Sequence, residues 1–136
     1  MDLFRKIATA AAVSAVVTAT LISSSGNASA STVKPSTSSC YVSGGKLWCG
    51  NDYNAPLYSD AHYPDRGNGV RLINRLLTTF SWFKCYARGD YHGTGSARNN
   101  VWYFTEGDIN NLTRWGYVPA NYVYTPTDPF PGVPAC

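Results

Sequence analysis

Apolar residues follow three regimes along the 136-residue chain. The first is an apolar stretch over residues 7–22. Arg5 and Lys6 precede it, and small polar residues ending Ala28-Ser29-Ala30 follow it. A basic start, an apolar centre and an Ala-x-Ala close predict an export leader cleaved after Ala30. A membrane anchor is disfavoured, because the stretch is shorter than the roughly 20 apolar residues that a bilayer requires. The second regime, residues 31–39, is rich in Ser and Thr with no apolar face, which predicts a flexible lead-in. The third, residues 40–136, consists of short apolar-aromatic runs broken by Gly, Pro, Asn and Asp, the pattern of an all-β domain.

Within that domain the elements are short. Residues 40–49 read as a hairpin around the turn Ser43-Gly44-Gly45. Residues 55–58 form a strand, with Pro56 placing it at an edge or a strand start. Residues 59–69 are dense in Asp, Pro, Gly and Asn and predict a long loop. Residues 70–83 fit two patterns. Ile73, Leu76, Phe80 and Phe83 have helical spacing, whereas Thr78, Thr79, Phe80, Trp82 and Phe83 favour a strand. The β-like surroundings favour strands. Residues 88–100 predict a second polar loop, in which Arg88-Gly89-Asp90 is read as a turn and not as an adhesion motif. Strands follow at 101–105 and 115–118, separated by turn residues 106–113 with a sequon at Asn111-Leu112-Thr113. A tight helical turn is expected at 119–122, extended chain at 123–124, and a Pro-rich tail at 125–136.

The four cysteines, Cys40, Cys49, Cys85 and Cys136, all lie beyond the leader. An even count in a small exported chain predicts two disulfides, for which three pairings exist. The glycine turn favours Cys40–Cys49, which leaves Cys85–Cys136. Loop entropy assigns that longer closure about 4 kcal/mol, support that a domain of this size needs. No Cys-x-x-Cys or His-x-x-x-His spacing accompanies His62 and His92, so no metal or other cofactor is expected. Removing the leader leaves nine basic and seven acidic residues. That balance is too weak and too scattered for a nucleic-acid partner, or for a membrane contact after cleavage. All four tryptophans and all ten tyrosines fall after residue 30.

The run Trp115-Gly116-Tyr117-Val118-Pro119-Ala120-Asn121-Tyr122-Val123 resembles the closing signature of SH3 domains: Gly, aromatic, aliphatic, Pro, small, Asn-Tyr-Val. Ala55, Leu57 and Tyr58 are similar to the opening Ala-Leu-Tyr strand. Residues 59–69 take the place of the RT loop, 88–100 that of the n-Src loop, and 106–113 that of the distal turn. Trp102-Tyr103 is similar to the Trp-aromatic pair. Together with the leader and the paired cysteines, the chain looks most like secreted bacterial SH3-like (SH3b-type) proteins. Over residues 40–136 the resemblance implies a small SH3-like barrel with a disulfide-closed N-terminal hairpin and a Pro-rich C-terminal tail. It also implies an aromatic ligand groove lined by Tyr58, Tyr63, Trp102, Pro119 and Tyr122. Trp82, Trp115 and Phe104 are assigned to the core. Pro126-x-x-Pro129 and Pro131-x-x-Pro134 are ligand-like motifs, so the tail either lies over the groove or acts as a stiff strap to Cys85.

Catalytic constellations are not visible. A Cys85–His92 nucleophile pair conflicts with a bridged Cys85, and no Gly-x-Ser-x-Gly elbow exists. Among the carboxylates, Glu106 and Asp108 share a turn and read as solvated surface. The expected product is therefore a secreted, monomeric, non-catalytic binding module whose ligand is a cell-wall glycan or peptide, or an extracellular protein. A small hydrolase inhibitor that presents loop 59–69 or 88–100, and a structural surface protein, are the alternatives.

Overall fold

The computed structural model describes residues 39–136, and the expected leader (1–30) and all but the last residue of the lead-in (31–39) lie outside them. Eight strands are formed: β1 (Tyr41–Ser43), β2 (Lys46–Gly50), β3 (Ala55–Tyr58), β4 (Leu72–Leu76), β5 (Phe80–Phe83), β6 (Cys85–His92), β7 (Asn99–Glu106) and β8 (Trp115–Pro119). They make two antiparallel sheets, β1-β2-β5 and β4-β3-β8-β7-β6. Neither sheet closes into a barrel.

The β1–β2 hairpin turns on Gly44 and Gly45, both left-handed with φ of 58° and 71°. That pair of positive φ angles matches the twist of two strands joined by a two-residue loop, here between Ser43 and Lys46. Cys40 and Cys49 are bonded across this hairpin and Cys85 to Cys136, as the spacing suggested. Residues 70–83 supply strands, as their surroundings implied: β4 and β5, joined by a bend at 78–79. The turn at Ala120–Tyr122 is a 3-10 helix, after which Val123 bridges to Asn51.

Strand alternation builds the core. β2 and β5 contribute Leu47, Cys49 and Phe83, and the larger sheet contributes Ala55, Leu57, Leu76, Val101, Tyr103 and Val118. Ala120, Val123 and Val133 close it from the C-terminal side. Burying each large side chain contributes about 1.5–3 kcal/mol. Tyr103 takes a core position because its hydroxyl finds partners. It donates to Asp128 Oδ1 at 2.8 Å and accepts from the Phe130 N–H at 2.9 Å. Burial and the neighbouring carboxylate push its phenol pKa well up.

One expectation is corrected and one pair of alternatives is decided. Residues 88–92 are strand, not loop, so Arg88-Gly89-Asp90 lies within β6 and only 93–98 connect it to β7. Gly89 makes this possible: a Cβ there would sit 1.6 Å from the carbonyl oxygen of Ala61, so only glycine lets loop 59–71 approach so closely. Of the two alternatives for the tail, the strap to Cys85 is the one formed. Its first part is held through Asp128 and Phe130 to Tyr103, on the core side of β7. Its end then runs along the edge of β6, where Tyr86 donates to Pro134 O and Cys136 N–H donates to Tyr86 O. An otherwise open sheet edge is thereby capped by a strap.

Candidate functional site

Of the five residues implied by the resemblance, Tyr58, Tyr63, Trp102 and Pro119 meet on the outer face of the larger sheet, while Tyr122, on the 3-10 turn that follows β8, packs against the core and lies near Tyr58 and Tyr63. β7 places Trp102 there, opposite Pro119 of β8. A register irregularity between Leu57 and Tyr58 ends the regular pairing of β3 with β4, and Tyr58 pairs with Tyr117 on its other side. Around the Trp102 ring pack Tyr58 (centroids 5.8 Å), Tyr63 (5.0 Å) and His92 (5.6 Å), all edge-on. This arrangement leaves Trp102 0 % exposed. Its indole N–H donates to the Asp90 carbonyl at 3.0 Å. Trp102 is thus the floor of the site and not a contact surface, and Pro119 is buried beside it. Tyr58, Tyr63 and Tyr122 remain half-exposed above them.

Loop 59–71 and strand β6 are zipped together at this point. Asp90 N–H donates to Ala61 O at 3.0 Å, and Tyr63 N–H donates to Asp90 Oδ2 at 2.9 Å. Asp90 therefore positions both Tyr63 and the indole. The three phenols sit close enough to affect each other. Burial, then Tyr122, Tyr58, Asp90 and Asp65, push the Tyr63 pKa up to about 12. Burial followed by Tyr122 raises that of Tyr58, with Arg75 acting in the opposite sense. At neutral pH Tyr58 and Tyr63 therefore offer uncharged hydroxyls, each able to donate and accept, with the Asp90 and Asp65 carboxylates near Tyr63.

His92 is buried at the back of Trp102, and its Nε2 lies 2.6 Å from the Val101 carbonyl. A carbonyl only accepts, so Nε2 carries the proton and Nδ1 is left bare and without a partner. Burial lowers the His92 pKa, against the opposing pull of the Val101 bond and Asp128.

Trp82, Trp115 and Phe104, expected in the core, instead face outward. Val101, Tyr103 and Thr105 take the core-facing positions of β7, so Trp102, Phe104 and Glu106 share the opposite face. The parity of Glu106 was the available signal, since a charged side chain two residues from Phe104 marks the solvent side. Together with Tyr117, these rings form a band. Trp82 and Trp115 are 5.5 Å apart, Trp115 and Phe104 5.6 Å, and Phe104 and Tyr117 4.9 Å. The Lys46 ammonium lies 4.1 Å from the Trp82 ring centre, and Arg114 pairs with Glu106 at 2.5 Å. An open cleft of about 400 Å³ begins at Phe104 and Tyr117 and ends at Lys84, Pro134 and the Cys85–Cys136 bridge.

Cys85 is bridged and cannot act as a nucleophile. Among the described residues no three His, Cys, Asp or Glu side chains gather as metal ligands, and no helix is long and apolar enough to cross a membrane. No family model, curated protein or solved structure matches the chain.

Proposed function

We propose that the chain is a secreted, non-catalytic binding module on an SH3-like plan, and that its tyrosine surface holds a cell-wall glycan or peptide, or an extracellular protein. The observation that carries this reading is the convergence of Tyr58, Tyr63 and Tyr122 above a buried Trp102. Stiff, half-polar rings supply contact area at low entropic cost. The plan is supported by β3 with loop 59–71 and by the run of β6, the hairpin to β7, β8, a 3-10 turn and then Val123, with β4 and β5 standing between that loop and β6. Export is supported by the two disulfides, which suit an oxidising compartment.

Co-sedimentation of the exported protein with purified cell wall tests the reading. Wild type is expected in the pellet and Tyr63→Ala in the supernatant. Wild type remaining in solution, or both proteins pelleting equally, refutes it. Trp102→Ala is unsuitable as a probe, because removing a fully buried indole costs about 3–5 kcal/mol of stability.

A further inference from the structure

We propose that the band of Trp82, Trp115, Phe104 and Tyr117 is a second binding site, beside the tyrosine surface on the same face, and that it takes the sugar rings of an acidic polysaccharide.

The band is not needed for the core. It lies on the solvent side of the sheet, where strand alternation ordinarily places polar residues, and Trp115 is 43 % exposed. Its geometry is that of a floor and a wall. The Trp115 and Phe104 planes lie within 21° of each other at 5.6 Å, an offset stack in which the exposed Trp115 is the ring open to solvent. Trp82 stands at 62° to Trp115. A flat, ring-shaped ligand lays its C–H face on the first pair and meets the third ring with its side. Tyr117 adds a hydroxyl beside the floor.

The cleft that continues from Phe104 and Tyr117 measures about 400 Å³. It falls at the lower end of small-ligand sites, roughly 300–1,000 Å³. A folded protein partner would require about 800 Å² of surface from each side, whereas this band is four rings, one from β5, one from β7 and two from β8. Charge selects among sugars. Glu106, the carboxylate in the band, is neutralised by Arg114 at 2.5 Å. Lys46 caps the Trp82 end, and Lys84, exposed in the cleft wall, makes no salt bridge among the described residues. The two ends of the band are therefore positive, with the Asp60 carboxylate near Tyr117 between them, which suits a chain whose carboxylates reach Lys46 and Lys84.

Affinity electrophoresis of the exported protein tests this, with polygalacturonate as the acidic probe, hydroxyethyl cellulose as the neutral one and polyglutamate as a polyanion without rings. Retardation by polygalacturonate alone is expected. Trp115→Ala should weaken it by about tenfold or more. Lys84→Gln, at an exposed position that leaves packing intact, should weaken it by about threefold and lower its salt dependence. Tyr63→Ala should leave it unchanged. No retardation by polygalacturonate, equal retardation by polyglutamate or by the neutral polymer, or indifference to both Trp115→Ala and Lys84→Gln each overturns the proposal. A dimer that dissociates in Trp115→Ala, with no sugar bound, overturns it too and makes the band a self-association surface.

Discussion

Asn74 offers the sharpest test of how the outer face is held in place. It is 2 % exposed, and its amide makes four hydrogen bonds. Nδ2 donates to Ile109 O at 3.1 Å and Thr113 O at 3.0 Å, while Oδ1 accepts from Arg75 N–H at 2.8 Å and Ile109 N–H at 3.0 Å. Three of these partners belong to the loop joining β7 to β8, which carries Glu106 at one end and Trp115 at the other. Asn74→Ala removes all four bonds. At about 1 kcal/mol each the ceiling is about 4 kcal/mol. Water reaches the exposed Thr113 side, so the expected loss is about 2–3 kcal/mol. For a domain of this size that corresponds to a fall in Tm of about 10–20 °C. Asp108 still anchors the loop, because its carboxylate accepts from Leu77 N–H at 2.7 Å and its own N–H donates to Arg75 O at 2.9 Å. The variant should therefore fold. Thermal and urea unfolding provide the measurement, and a loss below about 1 kcal/mol would refute the assignment of the loop's stability to this amide.

Two further outcomes follow from the tyrosine site. Gly89→Ala places a Cβ against the Ala61 carbonyl. It should destabilise by about 1–3 kcal/mol or more and abolish wall pelleting, because it separates Asp90 from Tyr63; unchanged pelleting by a folded variant would contradict this. His92 has a folded-state pKa below its ordinary value of 6.5. Its neutral form is favoured by folding, so its contribution is complete above pH 6.5 and falls as pH drops from there towards the folded-state value. Urea unfolding at a series of pH values should show this slope, and His92→Gln should flatten it; an identical slope in the variant would contradict the assignment.

Much of this was legible from residue order. Gly44-Gly45 announced both the hairpin and the Cys40–Cys49 pairing, since few other residues tolerate two successive left-handed positions. Residues 70–83 were decided by their neighbours and not by their own pattern, which serves a helix and two strands about equally. The resemblance pointed to Tyr58, Tyr63, Trp102 and Pro119, which lie side by side, but it did not reveal that Trp102 would be sealed. That depends on Gly89 letting loop 59–71 close down, a contact between residues far apart in sequence. The side of the sheet taken by Trp82, Phe104 and Trp115 was missed for a related reason. Aromatic residues suit either face of a strand, and only the polarity of Glu106 broke the tie. The tail's route was hidden as well, because it is set by Tyr103 and Asp128, whose pairing has no local signature.

Chemical-shift mapping of the exported protein titrated with soluble cell-wall fragments asks most directly whether the tyrosine surface is where a ligand sits. Saturable shifts centred on Tyr58, Tyr63 and Tyr122, with the Trp102 indole N–H responding through Asp90, are the predicted result. A spectrum that stays unchanged at saturating fragment, or shifts confined to other parts of the sheet, would contradict it.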